Sequence, residues 1–65
     1  MDDIGKKLKK LRGDKSIGEV ANAIGVAPST ISMYENGERV PRDSIKIKLA
    51  QYYNLSIEEL FFAHK

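Results

Sequence analysis

Residues 16–37 read SIGEVANAIGVAPSTISMYENG. The run opens on Ser16-Ile17-Gly18-Glu19, the spacing of a capping box, in which the serine hydroxyl accepts the N–H three residues on and the glutamate reaches back. Val20, Ala21 and Ile24 follow on one helical face. Gly25 suits the C′ position, where a left-handed backbone is free of strain for glycine. Ala27-Pro28 then starts a second helix, since the N–H that proline lacks has no partner at a first helical position. Ile31 and Tyr34 supply its inward face, and Asn36-Gly37 ends it. The run therefore predicts two short helices joined tightly at Ile24-Gly25-Val26, with Val26 packed in the angle between them.

On the N-terminal side, Ile4, Leu8 and Leu11 recur at i, i+4 and i+7, which predicts a helix from about Asp3 to Arg12. Asp2 and Asp3 at its start, and Lys9, Lys10 and Arg12 near its end, complement the helix dipole. On the C-terminal side, Ser44-Ile45-Lys46-Ile47-Lys48-Leu49 alternates with period 2 and by itself reads as a strand. A strand has nothing to pair with among helical neighbours. The wider window places Ile45, Leu49, Tyr52 and Tyr53 at helical spacing, so a helix from about Asp43 to Tyr53 is expected, with Pro41 ahead of its start. Ser56-Ile57-Glu58-Glu59 repeats the capping-box spacing, with Ser56 and Glu59 as its partners. Ile57, Leu60 and Phe61 form an apolar face beyond it, and Phe62 falls on another side. Ala63, His64 and Lys65 read as a frayed tail.

Composition bounds what such a chain does. Sixty-five residues and 7.3 kDa allow a single domain, residues 1–65. Chains of this mass bury only about 60% of the surface they expose when unfolded. There is no cysteine, so the core comes from helix packing without disulfide or zinc-thiolate support. Eleven basic and nine acidic residues give a net charge of +2, too small an average to mark a partner. No apolar run approaches a membrane span or a signal-peptide core, so the chain reads as cytoplasmic and intact. His64 is the only histidine and has no second ligand at metal spacing. Glu58-Glu59 is explained by capping and dipole complement. No nucleophile–base pair or phosphate loop is present. The expectation is a protein that is not an enzyme and takes no cofactor and no small-molecule ligand.

Two helices joined in this way form a helix-turn-helix, whose second helix lies in the DNA major groove. The chain resembles the Cro and phage-repressor type of helix-turn-helix family, found in bacterial and phage regulators. The matching residues are Ile4-Gly5-Lys6-Lys7-Leu8, Leu11-Arg12, Ser16, Glu19-Val20-Ala21, Ile24-Gly25-Val26, Ser29-Thr30-Ile31-Ser32 and Glu35-Asn36-Gly37, then Pro41, Leu49-Ala50, Leu55-Ser56 and Glu59-Leu60-Phe61. They cover about residues 4 to 61, most specifically from Gly25 to Gly37. The resemblance implies an all-α, compact five-helix bundle that regulates transcription on double-stranded DNA, most simply as a repressor that blocks polymerase.

The resemblance also implies contacts. Ala27, Pro28, Ser29 and Met33 match positions that face base edges, with Thr30 and Ser32 nearby. Ser16 and Ile17 match a phosphate-touching helix start, and Asn36 and Arg39 match phosphate holders at the end of the recognition helix. Arg42 and Lys46, at the start of the fourth helix, are further phosphate candidates. Met33 has a competing place in the core, as a methionine at helical spacing usually does. Some positions depart from the family pattern. Ile17 stands where glutamine often bridges phosphate and a neighbouring side chain, so that polar contact is lost. Gly18 lowers the stability of its helix by about 0.5–1 kcal/mol relative to alanine. Pro28 stands where a polar residue is common. Asp43 and Lys46 replace positions that are often apolar, which implies shifted packing of the fourth helix.

From Ser16 to Glu38 there is no lysine, arginine or glutamine. The usual bidentate readers of guanine and adenine are thus missing from the middle of the recognition helix. What remains is hydroxyls at Ser29, Thr30 and Ser32 and apolar contact from Ala27, Pro28 and Met33. Readout then leans on thymine methyls, adaptable hydroxyl bonds, DNA shape and water. Affinity falls to two flanking basic blocks: Lys6, Lys7, Lys9, Lys10, Arg12 and Lys15, and Arg39, Arg42, Lys46 and Lys48. One or two of the first-helix lysines are expected to meet phosphate, and the rest to serve solubility.

One such unit covers little DNA, and two-fold operators suit paired units about 34 Å apart. A homodimer is therefore expected, with Phe62 beside Tyr52 or Tyr53 on its face. The same fold also serves protein-interaction modules such as antitoxins and adaptors, and the hydroxyl-only helix keeps that alternative open. In a base-by-base substitution of the operator, thymine methyl positions should dominate discrimination opposite the helix centre. A dominant guanine requirement there would contradict this account.

Overall fold

In a computed structural model, residues 4–62 are described, the side chain of Phe62 excepted. The expectations for Asp2, Asp3, Ala63, His64, Lys65 and the Phe62 ring lie outside the described residues. Among those described, the secondary structure is entirely helical: α1 (Ile4–Arg12), α2 (Ile17–Ile24), α3 (Pro28–Glu35), α4 (Asp43–Tyr52) and α5 (Glu58–Phe62), the last wound as a π-helix. Helix α3 packs on both α1 and α2, while α4 packs on α2 and α5 packs on α1. No described helix is long and apolar enough to cross a membrane.

The core consists of Leu8, Val20, Ala21, Ile24, Ile31, Tyr34, Leu49, Ala50 and Leu60. Every helix contributes to it. Full burial of one of the larger aliphatic side chains contributes roughly 1.5–3 kcal/mol. Pro41 is also fully buried and pins the loop between α3 and α4. The alternation at Ser44–Leu49 resolves as helix: Leu49 is buried and Ile45 half-buried, whereas Ile47 is 49% exposed.

Both predicted caps form, in unequal ways. Ser56 Oγ accepts the Glu59 N–H at 2.9 Å, and Glu59 Oε1 accepts the Ser56 N–H at 2.9 Å. At α2 only half the box exists. Ser16 Oγ accepts the Glu19 N–H at 3.0 Å, but the Glu19 carboxylate makes no return bond and stays exposed. The predicted helix ends also hold: Gly25 has φ 90°, and its N–H donates to Ala21 O at 2.8 Å. Pro28 is the first residue of α3.

Two features of α1 set its seat on α3. Gly5 lies against the last turn of α3, where a Cβ would sit 2.8 Å from Tyr34 O and closer still to Glu35 O. Backbone atoms cannot yield as a flexible side chain can. Arg12, two turns on, forks onto the Glu35 carboxylate: Nε donates to Oε2 at 2.7 Å and Nη2 to Oε1 at 3.1 Å. The two side chains are 15% and 4% exposed. The hydrogen bond to Glu35 raises the Arg12 pKa further above its already high ordinary value, so the guanidinium stays charged. Loss of one partner from a buried pair costs about 3–5 kcal/mol, because the other is left without compensation.

Two measurements check this packing. Gly5→Ala should destabilise the fold by about 1–3 kcal/mol through overpacking, against the gain that alanine brings to a helix. Urea denaturation reads the change, and a stabilised variant would contradict the close approach. The second concerns Tyr53, whose phenol is pushed up from 10.0 to about 12, first by burial and then by the Glu35 charge. Between these values the unfolded chain loses the proton while the folded chain keeps it. Stability from this group is thus complete below about pH 10 and is lost as pH rises through 12. Tyr53→Phe should flatten that part of the melting-temperature profile.

Candidate nucleic-acid interface

Helix α3 is half in and half out. Ile31, Tyr34 and Glu35 are buried, while Ala27, Pro28, Ser29 and Asn36 are exposed and Thr30, Ser32 and Met33 are half-buried. At 100° per residue, Ser29, Ser32, Met33 and Asn36 form one stripe opposite Ile31. The expected base-facing residues therefore lie on and beside the outer face of α3. Met33 divides its surface between that stripe and the interior.

The C-terminal end of the stripe carries polar groups. Asn36 caps α3, and its N–H donates to Ser32 O at 2.9 Å. Its Nδ2 donates to Ser32 Oγ at 3.4 Å, which leaves the Ser32 O–H as a donor directed elsewhere. Arg39 and Arg42 follow on the loop, both exposed and without an ion pair among the described residues. Between them stands Val40, 72% exposed, held outward because the next residue, Pro41, is anchored in the core.

The start of α2 supplies a second set of donors. The Ser16, Ile17 and Gly18 N–H groups make no hydrogen bond among the described residues. They lie at the positive end of α2, the arrangement that suits an anion. The Ile17 side chain itself is half-buried and packs against the core, so only its backbone is offered. The Ser16 N–H shares a peptide with Lys15 O, and that oxygen accepts from Arg12 Nη1 at 2.7 Å.

The other expected residues are distributed differently. The Lys46 ammonium lies 4.0 Å from Asp43 Oδ1 and 5.3 Å from the centroid of the Phe61 ring, drawn onto α5 and away from a free phosphate-seeking position. Lys7 likewise turns to α5 and donates to Glu59 O. Tyr52 and Tyr53 meet edge to face at 5.1 Å and 71°, each half-buried against the core. The most exposed large apolar side chains among the described residues are instead Val40 and Ile47. Ile47 borders a groove of ≈ 330 Å³ with Asp43, Lys46 and Ile57. The Ile45/Ile47 alternation carries a signal for this exposure, because residues two apart cannot share one helical face. No group of three or more His, Cys, Asp or Glu among the described residues is placed to hold a metal ion.

Known proteins share this geometry. The family model described as "Helix-turn-helix" matches residues 6–60. The HTH-type transcriptional regulator YvzC of Bacillus subtilis (strain 168) is 40% identical over 52 residues, which are 80% of this chain and 68% of that protein. The cryptic phage CTXphi transcriptional repressor RstR of Vibrio cholerae is 39% identical over 56 residues, 83% of this chain and half of its own length. Among solved structures, the P22 c2 repressor in complex with synthetic operator 9T superposes with a TM-score of 0.89, covering 95% of this chain and 97% of that one. At 19% identity that likeness is one of fold. The SOS-response repressor LexA from Eubacterium rectale gives a TM-score of 0.82 at 28% identity, over 89% of this chain and 64% of that one. With its two helices, the glycine turn between them and a family match that runs from α1 into α5, this chain belongs to the helix-turn-helix family.

Proposed function

We propose that residues 1–65 form one DNA-binding domain that recognises a specific duplex sequence and regulates transcription, most simply as a dimeric repressor in the cytoplasm. The observation that carries this is the outer stripe of α3, with anion-seeking groups at the start of α2 and on the loop that follows α3. Ser29, Thr30, Ser32, Met33, Ala27 and Pro28 face the bases in this account. The Ser16 and Ile17 backbone N–H groups grip phosphate on one side, and Asn36, Arg39 and Arg42 grip it on the other. Lys46 contributes only where phosphate competes with Asp43 and the Phe61 ring. The names of the relatives, a transcriptional regulator and a phage repressor, support the same reading.

The dimer is part of the proposal. The longest dimension of the unit is 30 Å, so two copies fit side by side on half-sites about 34 Å apart. Tyr52, Tyr53 and Phe62 are the proposed contact residues. A protein-interaction module is the second reading, favoured by one observation: the outer face of α3 carries no charged side chain.

Enrichment of random duplexes on the protein separates the two. A two-fold motif with a half-site spacing near one helical turn is expected. No enriched sequence, together with equal binding to every duplex, would overturn the DNA reading in favour of the interaction module. On the enriched duplex, log K should fall linearly with log salt at a slope of about −0.9 per phosphate contacted.

A further inference from the structure

Helix α3 ends on Asn36-Gly37, and Asn36 is the one asparagine of the chain that glycine follows. Asn22 precedes Ala23, and Asn54 precedes Leu55. The order matters chemically. The backbone nitrogen after an asparagine can attack the side-chain amide carbon, one route by which asparagine is labile. Glycine presents the least hindered nitrogen, because it has no Cβ. Asn36 and Gly37 are both exposed. A Cβ at Gly37 would have no atom beyond its chain neighbours within 4 Å, so this turn is open to solvent.

At ψ −1° the Gly37 nitrogen is turned away from the Asn36 side chain, so attack requires rotation about the Asn36 Cα–C bond. The restraints on that rotation are uneven. The Gly37 N–H reaches Tyr34 O at 3.3 Å, and Asn36 Nδ2 reaches Ser32 Oγ at 3.4 Å. Both are longer than ordinary bonds of their kind and correspondingly weak. The firm restraint beyond Asn36 is the Glu38 N–H bond to Met33 O at 2.9 Å. Opening therefore needs only the last turn of α3 to fray, as helix ends do. The other two asparagines are better protected. Asn22 lies inside α2, with helical backbone on either side of it. Leu55 sets a branched side chain beside the nitrogen that follows Asn54.

We propose that Asn36-Gly37 is a site of spontaneous deamidation, and that the change switches off the phosphate contact at the end of α3. The Gly37 nitrogen bonds to Asn36 Cγ, the Cγ–Nδ2 bond breaks, and ammonia leaves with the proton that the glycine nitrogen gives up. Water then opens the cyclic imide at either carbonyl and leaves aspartate or isoaspartate. No atom is oxidised or reduced. The functional half of the proposal rests on the DNA-binding reading above. A hydrogen-bond donor becomes a carboxylate near the exposed Glu38, at the negative end of α3. It repels phosphate and opposes the helix dipole.

Two measurements test the inference. In the first, the folded chain is aged at mildly alkaline pH, and peptide mass mapping follows amide loss at each asparagine, with isoaspartate detected by enzymatic methylation. Asn36 should lose its amide well ahead of Asn22 and Asn54, and isoaspartate should accumulate at that position. Loss at Asn22 or Asn54 first, or equal loss at all three, overturns the site. In the second, Asn36→Asp is compared with the unaged wild-type chain on the enriched duplex. Its affinity should be weaker by about tenfold, as the loss of one hydrogen bond to a charged group implies. Unchanged affinity overturns the switch. Should Asn36→Asp fail to fold, the aged protein is separated from the intact form by ion exchange and measured in its place. If the wild-type chain binds no DNA, the reading beneath the switch fails. Mass mapping still decides whether the site exists, so the two failures are distinguishable.

Discussion

The seat of α1 on the last turn of α3 is the constraint on which the rest of the molecule depends. It combines a steric and an electrostatic part. Gly5 lets the two backbones approach more closely than any side chain permits, and Arg12 closes a fork on a carboxylate that is only 4% exposed. A buried ion pair is costly to desolvate, and its geometry must be good to offset that cost. The close helix contact supplies the geometry. The pair in turn explains why a glutamate tolerates burial in a core otherwise made of aliphatic and aromatic side chains.

From that seat the charge pattern follows. The recognition unit, residues 16–38, carries Glu19, Glu35 and Glu38 and no basic side chain. Its only buried charge is neutralised from α1. Apart from Lys65, basic residues are confined to α1, its following turn, the loop after α3 and α4. Not all of them are available: Lys7 and Lys46 both turn to α5, one to a backbone carbonyl and the other to an aromatic face. The cationic groups that stay exposed beside the end of α3 are Arg39 and Arg42. Net charge alone conceals this division, since a balance of +2 averages over segments of opposite character.

Most of the architecture was legible in the chain because its signals are local. Ser16 and Ser56 announce helix starts through a hydroxyl and the N–H three residues on. Gly25 marks an end because only a residue without Cβ reaches its φ cheaply. Pro28 marks a start because its missing N–H has no function there. Ile31 and Tyr34 lie inward as their spacing requires. The period-2 run at Ser44–Leu49 misled in isolation, and its resolution depended on the neighbours: with α2 packed against it, Leu49 and Ala50 turn in and Ile47 is left out. The α5 turn carries the expected cap, but its π-helical winding leaves no mark in residue spacing.

By itself, the sequence determined the helix boundaries, the inward faces and the stripe of hydroxyls on α3, because each arises from contacts within a few residues. Only the tertiary structure decided which lysines are spent on α5, which isoleucine faces solvent, and that Arg12 reaches across 23 residues to Glu35 while holding Lys15. Such pairings join segments remote in the chain, and nothing in the spacing of either segment specifies its partner.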